Sequence, residues 1–97
     1  MNISVLNNLV SKLYLNNDQA SFEALLVALD DMIDSIVYVY LDKFEDKVLY
    51  QKDDIKQELL ILLWMDVANY QVAFQDEADV KMYLNKLAQQ VLDKTRS

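Results

Sequence analysis

Asp53-Asp54-Ile55-Lys56-Gln57-Glu58-Leu59-Leu60-Ile61-Leu62-Leu63-Trp64 is the stretch on which the reading of this chain turns. Two acids at its head mark a helix start, because carboxylates there meet unpaired backbone N–H groups and the positive end of the helix dipole. The apolar run then continues unbroken from Leu59 to Met65, seven residues in a row. Such a run wraps nearly two turns, more than one buried stripe requires. On a helical wheel Ile55, Leu59, Leu60, Leu62, Leu63 and Val67 gather on one broad side, and Asp54, Gln57, Glu58, Ile61 and Met65 on the other. One reading makes the second set a protein interface, apolar side chains rimmed by charge. The other has Ile61 and Met65 covered by a neighbouring helix or loop. The predicted helix spans Asp53 to Asn69.

Periodicity extends outward from this helix in both directions. Downstream, after Asp76-Glu77, a helix is predicted from Ala78 to Thr95. Val80, Tyr83, Leu84, Leu87, Ala88 and Val91 form its apolar stripe, and Lys81, Asn85, Lys86, Gln89, Gln90, Asp93 and Arg96 point away. Upstream, a long helix is predicted from Gln19 to Phe44. Phe22, Leu26, Leu29, Ile33, Ile36, Tyr40 and Phe44 share one face, with Glu23, Asp30, Asp31 and Asp34 opposite. A first helix, Ile3 to Leu15, carries Ile3, Leu6, Leu9, Val10 and Leu13 on a stripe, and Asn16-Asn17-Asp18 breaks it and offers the next N-cap. Two apolar pieces between helices, Val48-Leu49-Tyr50 and Val72-Ala73-Phe74, are expected to tuck back onto the bundle.

The expected fold is therefore all-α, a small helical bundle. The second to fourth helices form a three-helix core, with Phe22, Leu26, Leu29, Ile33, Ile36, Leu59, Leu63, Leu84, Leu87 and Val91 inside. The N-terminal helix and linker, residues 1–18, are added to a helical domain of residues 19–97. The chain contains no Gly and no Pro, which disfavours tight hairpins and favours helices joined by short polar loops. It contains no Cys and no His, so it lacks a disulfide framework, a thiolate metal site and an imidazole base. Sixteen acids include close pairs such as Asp30/Asp34 and Asp54/Glu58, which read as solvated helix faces rather than acid–base or metal pairs. No enzymatic activity, cofactor or metal is expected. No window is apolar enough to span a membrane, and Met1-Asn2-Ile3-Ser4 lacks the basic start of a signal peptide, so a cytoplasmic protein is the expectation.

Charge is unevenly spread. The net charge is −7, which taken whole disfavours nucleic acid as a partner. Residues 21–47 and 48–79 each hold seven acids against two lysines, net −5, while residues 80–97 hold Lys81, Lys86, Lys94 and Arg96 against Asp93, net +3. A basic last turn that complements the helix dipole accounts for Lys94 and Arg96 but not for Lys81 and Lys86.

The Asp53–Trp64 run, together with Tyr83-Leu84-Asn85-Lys86-Leu87-Ala88-Gln89-Gln90-Val91-Leu92-Asp93-Lys94-Thr95-Arg96, resembles region 2 of the bacterial sigma-70 family, above all its short extracytoplasmic-function type. Ser21-Phe22-Glu23-Ala24-Leu25-Leu26 is similar to that region's opening, and Met32 to Leu41 to its long second segment. The resemblance implies a transcription initiation factor domain. Asp54, Gln57, Glu58, Ile61 and Met65 would grip the clamp coiled coil of core RNA polymerase, which presents arginines to the acids. Lys81, Asn85, Lys86, Gln89, Gln90 and Arg96 would face the promoter −10 element, with Tyr70 and Phe74 of the preceding loop as candidate platforms for its bases. Lys and Arg neutralise phosphates, amide side chains read base edges, and aromatic rings stack on bases. Each aromatic has core packing as its other reading, the preferred one for Tyr83.

The chain also departs from the family pattern. Gln89 and Gln90 stand where Arg and Asn are common, and Asp76, Glu77 and Asp79 surround the loop. DNA binding by the isolated domain is accordingly expected to be weak. Region 4, the promoter-reading helix-turn-helix, is not in the sequence. That leaves a piece of a longer sigma factor, one half of a split sigma factor whose partner subunit supplies region 4, or a sigma-like adaptor. An anti-sigma factor is a further expected partner, and the adaptor would bind polymerase or another sigma subunit without reading DNA. Met1–Leu15 lies outside the minimal motif and is expected to form a lid over the bundle.

Overall fold

The computed structural model describes residues 1–44 and 51–96, with only the backbone at residues 95 and 96. The described residues form an all-α bundle of four helices, α1 (Ile3–Asn16), α2 (Gln19–Leu41), α3 (Lys52–Asn69) and α4 (Glu77–Arg96). The predicted apolar piece Val48-Leu49-Tyr50 lies outside the described residues, as does the side chain of Arg96.

Asx side chains start most of the helices. Asn2 accepts the Val5 N–H at 3.2 Å to open α1. Asn17 closes it in the left-handed conformation (φ 47°), a region that Asn tolerates better than most residues, and its N–H bonds to the Leu13 carbonyl. Asp18 opens α2 by accepting the Ser21 N–H at 2.8 Å, and its hydrogen bonds from Ser21 hold its carboxyl below the usual range. At α3 the Asp54 carboxylate reaches back to the Gln51 N–H at 3.1 Å. Asp76 and Asp79 cap the α4 start together: Asp76 accepts the Asp79 N–H at 2.8 Å, and Asp79 accepts the Gln75 N–H at 3.0 Å.

α2 and α3 each pack against all three other helices, so the core lies between them. Nine of the ten predicted core residues are buried, and Leu26 is partly buried at the rim. Leu25 and Val37, each 0% exposed, extend the buried arc of α2. α2 ends at Leu41 rather than at the predicted Phe44. Two turn hydrogen bonds, Lys43 N–H to the Tyr40 carbonyl and Phe44 N–H to the Leu41 carbonyl, still fold Phe44 into the core.

α1 is no lid laid over a finished three-helix core. Leu6, Val10 and Leu13 are at most 1% exposed and belong to the same hydrophobic cluster as α2, α3 and α4. Removing any of these side chains opens a cavity that close-packed neighbours cannot fill. Leu63→Ala and Leu13→Ala should therefore each destabilise the chain by about 2–5 kcal/mol. Urea unfolding midpoints measure this, and a loss under about 1 kcal/mol at either position would contradict its burial.

Candidate functional site

α3 turns Ile55, Leu59, Leu63 and Val67 to the core, and the seven-residue apolar run then has to leave something outside. Ile61 and Met65 are 49% and 57% exposed, on the side of the helix that carries Asp54, Gln57 and Glu58. Neither α1 nor a described loop covers them. α1 meets α3 elsewhere, around Trp64, whose indole N–H donates to Asn17 Oδ1 at 2.9 Å and whose ring lies 4.2 Å from that of Phe22. The predicted five-residue set thus shares one accessible face. Lys56, the cation within the run, is turned towards α2, where its ammonium bridges Asp30 at 3.0 Å and Asp34 at 2.8 Å. The hydrogen bond to Lys56 holds the Asp34 carboxyl below its ordinary range. The Asp30/Asp34 pair is thus a clasp between helices, and the described residues hold no cluster of three or more metal-ligating side chains.

The outward set on α4 is divided. Tyr70, Lys86 and Gln90 line a groove of about 280 Å³ between α3 and α4, together with Met65 from the α3 face. Lys81 sits apart, in a recess between α2 and α4 beside Asp31 and Ser35. The Asn85 amide turns back to donate to the Lys81 carbonyl at 2.9 Å, and the Gln89 amide donates to Asp93 at 2.9 Å. Lys94 reaches across to Glu58 at 3.2 Å, so the acidic face of α3 and the basic end of α4 adjoin. That pair is largely exposed and of little energetic weight.

Phe74 requires a correction. Named as a candidate platform for bases, it takes its other reading, core packing, as the expected tucking back of Val72-Ala73-Phe74 implies: it is 7% exposed and packs edge-on against Tyr83, with ring centroids 5.3 Å apart. The physical reason is the segment after α3. Tyr70 is in the extended conformation, and by Phe74 the chain has come against α1, whose Asn7 binds the Phe74 main chain, so that the Phe74 ring joins the hydrophobic core. Tyr70 remains 65% exposed at the groove mouth. Tyr83 is half-buried on the inner wall, where its hydroxyl donates to Asp66 Oδ2. Sequence reasoning missed this pair, and Asp66 stands seventeen residues from Tyr83 with no periodic signal to join them. It also missed Asn7, which binds both the N–H and the C=O of Phe74 at 2.8 Å.

Compared with known proteins, the chain matches no family model, no curated protein and no solved structure. No helix among the described residues is long and apolar enough to cross a membrane.

Burial, and then the hydrogen bond and charge of Asp66, push the Tyr83 phenol up from its ordinary value of 10.0. A phenol that keeps its proton when folded but ionises near pH 10 when unfolded contributes stability below that pH and loses it as pH rises further. In an alkaline ultraviolet titration Tyr83 should belong to a late fraction that resists ionisation until the chain unfolds. Tyr83→Phe should reduce that late fraction by one tyrosine. If Tyr83→Phe instead removes one tyrosine's amplitude from the ordinary range near pH 10 and leaves the late fraction as it was, Tyr83 ionises freely in the folded state.

Proposed function

We propose that the chain is a sigma region 2-like domain, a cytoplasmic transcription initiation factor module. It binds the clamp coiled coil of core RNA polymerase through the outward face of α3 and contacts the promoter −10 element through α4 and the Tyr70 end of the preceding loop. The observation that carries this reading is the uncovered Ile61 and Met65 on the side of α3 that carries Asp54, Gln57 and Glu58, an apolar pair beside two acids and an amide on a helix otherwise committed to the core. An arginine-bearing partner helix complements it in charge and in apolar area. Tyr70, Lys86 and Gln90 in one groove support the nucleic-acid part, since a ring, a cation and an amide suit a base and its phosphate. Lys81, Asn85, Gln89 and Arg96 extend that contact in this reading. A partner subunit or further chain supplies region 4, and an anti-sigma factor would compete for the same faces.

A second reading is favoured by one observation. Phe74 is withdrawn into the core, and the groove belongs to a chain of net charge −7. An adaptor that binds polymerase or another sigma subunit without reading DNA needs only the α3 face.

One assay separates the two, with core polymerase, promoter DNA and a source of region 4. Asp54→Lys with Glu58→Lys should weaken polymerase binding by roughly thirtyfold, the size of a single interface hot spot, without unfolding the domain. Undiminished co-purification would remove the polymerase site. Lys86→Ala with Arg96→Ala should leave polymerase binding intact, lower promoter opening and reduce the slope of its salt dependence by about one for each phosphate no longer neutralised. Normal opening by that double variant would leave the adaptor reading in place.

A further inference from the structure

One side chain ties the N-terminal helix to the α3–α4 loop. Asn7 lies on α1, partly buried, sixty-seven residues from Phe74 in sequence. Its Nδ2 donates to the Phe74 carbonyl at 2.8 Å, and its Oδ1 accepts the Phe74 N–H at 2.8 Å. Those two bonds satisfy both main-chain polar groups of a residue whose side chain is buried, a task normally left to a neighbouring strand. An amide side chain suits it because it presents a donor and an acceptor side by side. Aspartate offers only acceptors when ionised, and serine is too short to span both groups.

The rest of the loop hangs from this point. On one side the chain leaves α3 with Tyr70 extended and its ring at the groove mouth beside Lys86. On the other side Asp76 and Asp79 cap α4. Between these anchors Phe74 is held inward by Asn7 from above and by the Tyr83 ring from within, and Tyr83 is itself anchored to Asp66. Without the Asn7 amide, the Phe74 N–H and carbonyl lack their protein partners, and only side-chain packing holds the segment.

We infer that Asn7 is a positioning residue for the Tyr70–Asp76 loop: α1 clasps the loop through Asn7, keeps Phe74 withdrawn, and so sets which aromatic ring the α3–α4 groove offers. On the nucleic-acid reading, on which this role in the groove rests, Tyr70 is the presented ring and Phe74 is the anchor of the loop that presents it. The N-terminal helix is then part of the site although it lies outside the motif that suggested it.

The test uses the full chain, free and then with core polymerase and promoter. In Asn7→Ala the Phe74 amide should exchange its proton on the order of tenfold faster than in the parent, while amides at the centres of α2 and α4 keep their protection. Asn7→Asp adds a reading that general loosening of the fold does not produce. Ionised, it cannot donate to the Phe74 carbonyl. Protonated, it presents a donor and an acceptor again. Its carboxyl, crowded by that carbonyl and partly buried, should titrate above the ordinary value of about 3.9. The Phe74 amide resonance of Asn7→Asp should therefore move to the parent position as pH falls through that titration, and the Asn7→Ala resonance should not. Unchanged exchange at Phe74 in Asn7→Ala, or equal behaviour of the two variants across pH, overturns the clasp and leaves the proposed function standing. In promoter opening, Asn7→Ala and Tyr70→Ala should be non-additive, the double variant losing no more than the worse single one. Full additivity also overturns the inference. A parent chain that neither binds polymerase nor opens promoters fails the proposed function instead, and the clasp is then decided by the exchange and titration measurements alone.

Discussion

Only part of the circumference of α3 is covered by its neighbours, and that constraint organises this molecule. The apolar run of α3 is longer than the arc that its neighbours can cover. With Ile55, Leu59, Leu63 and Val67 inside, Leu60 and Leu62 fall on the flanks and Ile61 and Met65 fall outside. Burying Ile61 instead would rotate the helix by about half a turn and bring Asp54 and Glu58 into the core, where unpaired carboxylates are far costlier than two apolar side chains left in water. The exposed pair thus follows from the same pattern that sets the register of the bundle. α2 packs on α3 across that register, with Lys56 bridging Asp30 and Asp34, and α1 and α4 close the remaining sides.

Much of the acidic charge that by composition reads as a statement about partners proves to be local structure. Without glycine or proline, each chain reversal among the described residues relies on Asn or Asp chemistry. Asn17 supplies the left-handed residue, and Asp18, Asp54, Asp76 and Asp79 receive backbone N–H groups at helix starts. A carboxylate in that position stabilises its helix through a charge-assisted hydrogen bond and the helix dipole. Asp30 and Asp34 are occupied with Lys56, and Asp66 with Tyr83. Of the acids around the loop before α4, which by composition argue against a DNA contact, Asp76 and Asp79 are committed to the cap. They still add negative potential there, but they are not arranged as an acidic surface.

Helices, their order and nine of ten core residues are legible in the sequence because they depend on short-range periodicity, and a long apolar stripe leaves little choice of face. The misses share another cause. Leu25 and Val37 are buried because α2 is contacted from three sides, so its hidden arc is wider than one stripe. Phe44 reaches the core through a turn beyond the helix end, which periodicity reads as more helix. That Val72-Ala73-Phe74 folds back onto the bundle is legible from its apolar composition, but what Phe74 packs against and what holds its main chain are not. The Phe74 main chain is held by Asn7, sixty-seven residues away, and no spacing rule joins the two. Of the candidate site, the α3 face is readable as one wheel position. The groove is not, because it is made by two helices and a loop whose relative placement is tertiary.

The two faces are close enough to act on each other. Packed helices have axes about 8–10 Å apart, and charges in physiological salt are screened over about 8 Å. Glu58 on α3 already touches Lys94 on α4, and Met65 and Lys86 line one groove. The acids of α3 therefore lower the positive potential that the α4 lysines present to an anion. A cationic partner seated over Asp54 and Glu58 offsets those acids and leaves the field of Lys86 less opposed, with no movement of the chain. Linkage makes the effect reciprocal: an anion held at Lys86 strengthens the attraction of the α3 face for that partner. On the proposed nucleic-acid reading, this is the physical route by which a domain of net charge −7 would engage nucleic acid in company with a basic partner and resist it alone.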